Sequence, residues 1–307
     1  MKHVFVVNPC AGKRDSGGDI AADIDMAELD AELYETRCQR DATRFVADWC
    51  RQHPGEAVRF YACGGDGTLN EVVSGVMSVE GGERKVEVGC FPCGSGNDYV
   101  KYFEGRRFDD VRALAEGDAV EVDVMEFEVA GERRYCINTL NFGFEAEVCR
   151  TMADVRRKPL IGGRMAYTTG IVKSLATGRK NPCRIEVDGQ PWYEGDLLLA
   201  SLANGRYAGG GFMCAPRSVN DDGLLEVMYV KPLSVAQFVK LIKYYEHGEH
   251  LDRPELHEVV GYCRGTRVCF SSDEPFYIAI DGELVRGTRF EVMNHRRALR
   301  FVVPSNR

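Results

Sequence analysis

The chain opens on a short apolar, β-branched run, Val4–Val7, and then alternates such runs with stretches of helical spacing. Phe45, Val46 and Trp49 share one helical face within residues 41–53, and Val58–Cys63 reads as the next strand. Leu69, Val72, Val73, Val76 and Met77 form one apolar helical stripe beginning directly after Thr68, and the Val86–Pro92 strand and a further helix follow. Strands alternating with helices predict a three-layer α/β domain with a parallel sheet, whose ligand loops lie at the strands' carboxyl ends. After about Glu121 the period changes to short strands and turns, as in RIEVDGQPWYEG, DLLLASLANG, GLLEVMYV, RVCFSS, FYIAIDGELV and RFEVMN. That pattern predicts an antiparallel β-sandwich, interrupted by helical stretches at about 163–177 and 234–246. The division expected is an α/β domain over 1–128, to which residues 300–307 can return, and a β-rich domain over 129–299. The site is expected in the cleft between them.

A chain of 307 residues with 44% apolar and 28% charged positions can bury two cores. No run approaches the ~20 apolar residues of a membrane span. The start MKHVFVVNPC lacks the h-region of a signal peptide, so a cytoplasmic protein is expected. Net charge of −8 argues against a nucleic-acid partner. The charge is uneven, however. Arg150, Arg156, Arg157, Lys158, Arg164, Lys173, Arg179 and Lys180 stand against Asp154 alone, a local +7 between 150 and 180. Such an island suits anionic lipid headgroups or phosphates, and equally a solvated helical arm. Most of the twelve cysteines sit in apolar runs and read as buried hydrophobes; Cys90 and Cys93 have CxxC spacing with no second pair to complete a zinc site. His247 and His250, three apart, read as surface residues.

Candidate chemistry lies in three loops, each directly after a first-domain strand: Asn8-Pro9-Cys10-Ala11-Gly12, Gly64-Gly65-Asp66-Gly67-Thr68 and Gly94-Ser95-Gly96-Asn97-Asp98. Glycines let backbone approach a phosphate, and a following helix offers free N–H groups and a positive dipole end. Neither GxxxxGK[ST] nor GxGxxG is present. Thr68–Glu71 and Ser95–Asp98 also match capping boxes, which would explain those side chains without a ligand. Capping does not explain Asp66 between glycines, or three such loops at successive strand ends, and the three together favour phosphate binding. Cys10, Cys63 and Cys93 border these loops, as packing residues or as accessible thiols.

With NPCAGK, GGDGTLNEVVSG, GSGND, GGGFMCAPRSVNDDGLLEV and IAIDGELV in place, the whole chain resembles the diacylglycerol kinase catalytic-domain superfamily, specifically bacterial lipid kinases related to sphingosine kinases. The resemblance implies transfer of the γ-phosphate of ATP to a hydroxyl of diacylglycerol or a similar lipid, with Mg²⁺. It implies nucleotide contacts from Asn8, Pro9, Cys10, Ala11 and Gly12, from Gly65, Asp66, Gly67, Thr68, Leu69, Asn70 and Glu71, and from Thr36 and Ser95. Asp66, Asp98 and Asp123 resemble carboxylates that hold the catalytic magnesium through water. Val219, Asp222 and Leu224 resemble a separate structural magnesium site. Asp281 and Glu283 resemble the catalytic pair, with Glu283 as proton acceptor. Asp281-Gly282 also reads as a hairpin turn, as Asp188-Gly189 does, and Asp222 shares a turn signal. Ser95 stands where the family has threonine, Cys10-Ala11 where it has a small polar pair, and Glu145 where it has aspartate. The implied partner is a lipid met at the membrane surface by peripheral contact, and similar bacterial enzymes pair as homodimers. Two other readings stay open: an NAD-kinase-like enzyme acting on a soluble substrate, and a non-catalytic nucleotide sensor.

Overall fold

Apolar strands buried on both faces need helices above and below them, and the first half of the chain supplies these. Strands β1 (Lys2–Val7), β2 (Ala31–Glu35), β3 (Val58–Gly64) and β4 (Val86–Pro92) run parallel in the order β2-β1-β3-β4, with β3 buried at every position. Helix α1 (Ser16–Met26) leads from β1 to one side of the sheet. Helices α2 (Asp41–Gln52) and α3 (Asp66–Met77) lead back across it. Right-handed crossovers therefore place α1 on one face and α2 with α3 on the other. The computed structural model describes residues 1–12, 16–79, 85–129, 131–143, 181–280 and 283–306. The helical stretch expected at 163–177, the basic island, Glu145, Asp281 and the side chain of Glu283 lie outside the described residues.

Short α4 (Val111–Ala115) precedes the β-rich half. That half comprises β5 (Asp118–Val129), β6 (Glu132–Cys136), β7 (Thr139–Gly143), β8 (Asn181–Val187), β9 (Gln190–Leu197), β10 (Leu199–Ala203), β11 (Leu225–Val230), β12 (Val260–Gly265), β13 (Arg267–Ile280) and β14 (Glu283–Val303). Helix α5 (Val235–Glu246), opened by a Ser234/Gln237 capping box, lies between β11 and β12. Among the described residues the two halves share one hydrogen-bonded sheet of 14 strands. The joint is β14. Its first part pairs antiparallel with β13, and its last part lies parallel to β4, Arg300 beside Glu87 and Phe301 beside Val88.

Among the described residues three apolar cores follow this layout. One fills the parallel half around Phe5, Phe60 and Leu69; a second packs Phe142, Phe270 and Phe290; a third seats Phe238 and Leu241 of α5 against β10 and β11. Each such side chain contributes about 2 kcal/mol on burial. The first core also encloses an ion cluster. Arg59 donates to Glu87 at 2.6 and 2.8 Å and to the carbonyls of Leu114 and Ala115, and Arg300 reaches the other Glu87 oxygen at 2.6 Å. The cluster fastens β3, β4, β14 and the end of α4 together. No described helix is long and apolar enough to cross a membrane.

Candidate active site

The three glycine loops meet. Asn8 follows β1 directly; its Nδ2 donates to Thr68 Oγ1 at 3.1 Å, and its Oδ1 accepts from the Cys10 N–H at 3.0 Å. Gly12, at φ +82°, lies against the Cys93 carbonyl, which a Cβ there would meet at 2.6 Å. A Cβ on Gly94 would stand 2.4 Å from the Gly65 Cα. Only glycine lets these turns touch. The Cys93 and Gly94 N–H groups both donate to the Gly64 carbonyl, closing the second loop on the third. Thr36 completes the rim, its N–H bonded to the Val7 carbonyl at 2.8 Å.

Helix α3 starts at Asp66, two residues before Thr68 and earlier than the apolar stripe suggested, with Gly65 as an N-cap that makes no side-chain bond. Asp66 and Gly67 thus lie in the first turn, where free N–H groups and the dipole favour an anion. Neither expected capping box forms. Thr68 receives Asn8, while Glu71 accepts the N–H groups of Arg40 and Ala42 at 2.9 and 3.3 Å and so caps the start of α2. In the third loop Asn97 exchanges two bonds with Gly94, and Ser95 is exposed. Pro9 and Cys10 are exposed, Ala11 is half-buried, and Leu69 is wholly in the core, leaving only its backbone for a ligand. Asn70 is buried against a cavity between α3 and the β5–β6 hairpin.

Asp66 and Asp98 are neighbours across Gly96, whose Cβ would lie 3.0 and 3.5 Å from their Oδ2 atoms. Asp66 Oδ1 accepts the N–H groups of Asp98 and Tyr99 at 2.7 and 3.2 Å; Oδ2 accepts none among the described residues. Burial, and then the Asp98 charge, push the Asp66 carboxyl above its ordinary range, and Lys101 partly offsets this. Asp98 Oδ1 accepts from Lys101 Nζ at 2.5 Å, and its Oδ2 accepts the Gly210 N–H at 2.8 Å. This last bond ties the GGGF loop of the β-rich half to the phosphate loops. Lys101, three residues after Asp98, and Gly210 were not singled out from the sequence, although the spacing and the glycine run were visible in it.

Asp123, wholly buried, accepts from Gly223 N–H at 2.7 Å, Asn294 Nδ2 at 3.0 Å and Arg297 N–H at 2.7 Å. Asp222 bonds the Leu224 N–H at 2.9 Å and pairs with Arg264, while Val219 is exposed. Among the described residues no three His, Cys, Asp or Glu side chains form a group that could hold a metal directly; Asp66 and Asp98 are an adjacent pair. The pair itself suits a hard divalent cation, since crowded carboxylate oxygens are its preferred donors. Burial raises the Cys63 and Cys93 thiols, which favours inert packing, while Cys10 is exposed. His247 is exposed and His250 buried.

Comparison with known proteins covers nearly the whole chain. Residues 2–127 match the model of the diacylglycerol kinase catalytic domain, and residues 138–303 match that of the YegS C-terminal NAD kinase beta sandwich-like domain. A diacylglycerol kinase of Bacillus subtilis (strain 168) is 26% identical, with 100% of this chain and 98% of that protein aligned. A protein named probable lipid kinase YegS-like, of Xanthomonas oryzae pv. oryzae (strain MAFF 311018), is 28% identical over 87% of this chain and 84% of its own. The crystal structure of a diacylglycerol kinase from Bacillus anthracis str. Sterne shares the fold at TM-score 0.68 and 19% identity, covering 98% of this chain and 96% of that one.

Proposed function

The chain belongs to the lipid kinase family defined by these two domains, and on that premise we propose that it transfers the γ-phosphoryl group of ATP to the hydroxyl of diacylglycerol. The observation that carries the reading is the junction of three glycine loops around Asp66 and Asp98, with Gly210 of the other half bonded to Asp98 at 2.8 Å. Loop N–H groups and the first turn of α3 cradle the triphosphate. Asp66 and Asp98 would hold a magnesium ion, which supplies charge neutralisation at the phosphates when bound. The acceptor oxygen bonds to the γ-phosphorus as the bond to the β-phosphate oxygen breaks, releasing ADP. The hydroxyl proton passes to the Glu283 carboxylate, and phosphatidic acid forms. The acceptor is met at a membrane surface by peripheral contact.

The runner-up reading is phosphorylation of a soluble substrate such as NAD, which the NAD kinase-like description of the second domain keeps in view. Radiolabelled ATP offered with mixed micelles of diacylglycerol, monoacylglycerol or sphingoid base, or with NAD, separates the two. Label in phosphatidic acid is expected. Label confined to NADP selects the runner-up, and no label in any acceptor leaves a nucleotide sensor. Glu283→Gln should bind ATP normally and lower transfer at least 100-fold, the low end of general-base catalysis; near-normal turnover would remove Glu283 from its role.

A further inference from the structure

Lys101 lies on the 3₁₀ turn Tyr99–Tyr102 that follows the third glycine loop. Its Nζ donates to Asp98 Oδ1 at 2.5 Å, which makes it the cation that reaches the Asp66 and Asp98 pair among the described residues. An ammonium carries several N–H donors. Asp98 takes one; the others have no partner among the described residues, and 34% of the side chain is exposed. Asp98 does not depend on this pairing alone, because its other oxygen accepts the Gly210 N–H at 2.8 Å. A partly exposed ion pair contributes little to stability. The ammonium is therefore free to serve a second acceptor.

Glycine borders its open side. Gly211 of the GGGF loop, at φ +127°, would carry a Cβ 3.5 Å from Lys101 Nζ. A side chain there would strain the backbone and cover the amine. Arg206, which precedes that loop, is committed elsewhere: its guanidinium lies over the Tyr102 ring at 4.8 Å, and its Nε donates to the Ser218 carbonyl at 3.2 Å. Lys101 thus stands at a seam, with Asp98 of the phosphate loops on one side and the glycine run of the β-rich half on the other.

A triphosphate held by the glycine loops extends its terminal group toward that seam. Phosphoryl transfer spreads negative charge over the equatorial oxygens of this group, and a charged donor beside them stabilises it. Resting on the lipid kinase reading, we infer that Lys101 is a further catalytic residue, whose ammonium binds the γ-phosphoryl oxygens of ATP and stabilises them during transfer.

Titration calorimetry with ATP and with ADP, each with magnesium, reads this contact without turnover, since ADP lacks the γ-phosphate. The proteins compared are the wild type, Lys101→Met and Lys101→Gln. Glutamine keeps a donor for Asp98 while losing the charge, and it serves if the methionine variant does not fold. Both variants should bind ATP about tenfold more weakly, the size of one hydrogen bond to a charged group. Their affinity for ADP should stay at the wild-type value. Their kcat with diacylglycerol should fall about 100-fold, as the loss of one transition-state donor does. ATP and ADP weakened alike, an ATP affinity equal to that of the wild type, or an unchanged kcat reduces Lys101 to a counter-ion of Asp98 and overturns the inference. Transfer of label to lipid by the wild type then leaves the lipid kinase reading intact. A wild type that transfers no label to lipid overturns the functional reading first, and the role of Lys101 with it.

Discussion

Removing the Asp123 carboxylate tests whether that residue clamps the fold or serves the metal that the family resemblance assigns to it. Its two oxygens hold the N–H groups of Gly223 and Arg297 and the amide of Asn294, on a side chain with no solvent exposure. The three donors come from the 220–223 loop and from the stretch of β14 where its register with β5 shifts between His295 and Leu299. Water cannot replace the lost acceptor in a sealed site. A hydrogen bond to an ionised group contributes about 1.5 kcal/mol at the low end, so Asp123→Ala should lose about 4 to 5 kcal/mol. With a denaturant slope of about 3 kcal/mol/M the urea midpoint should fall by about 1.5 M. Asp123→Asn, which keeps one acceptor oxygen but turns an NH₂ toward the donors, should fall by roughly half as much. The assay is equilibrium urea unfolding followed by tryptophan fluorescence, without added magnesium. Wild-type midpoints for both variants would refute the clamp. If magnesium-dependent transfer were lost at the same time, the metal role would stand in its place.

Two further tests concern groups outside the site. Arg59→Met strips Glu87 Oε2 of both its guanidinium donors inside the first core, and breaking a buried pair of this kind costs about 3 to 5 kcal/mol; a thermal midpoint within 1 °C of the wild type, measured by circular dichroism, would show that Arg300 alone suffices. Burial pushes the His250 imidazole down to about 4, whereas an unfolded histidine titrates near 6.5. Its contribution is complete above the unfolded value and is lost as pH falls from there toward 4, about 3 kcal/mol in all. His250→Phe should therefore flatten the dependence of unfolding free energy on pH between 6.5 and 4; unfolding curves with wild-type slope across that window would contradict the assignment.

Much of the fold was written locally. Period and glycine placement announced β1, β3 and β4, helices α2 and α3 and the three loops, because period and turn residues are local signals, whereas β2 and α1 carried none strong enough to be read. That much was legible in the sequence. What the loops would do to one another was not. The contact of Gly12 with Cys93 and that of Gly65 with Gly94 join residues far apart in the chain, and nothing in either segment names its partner. Thr68 and Glu71 carried capping signals, yet Asn8 claimed the one and the start of α2 the other, since tertiary neighbours offered donors that the local helix end did not. The sequence set Asp66, Asp98 and Asp123 in one list. Folding brings the first two together across Gly96 and seats the third among backbone donors from β14 and the loop before β11. The shared sheet had no local signature either, because β14 spans both halves through pairings with β13 and β4 that side-chain alternation alone does not select.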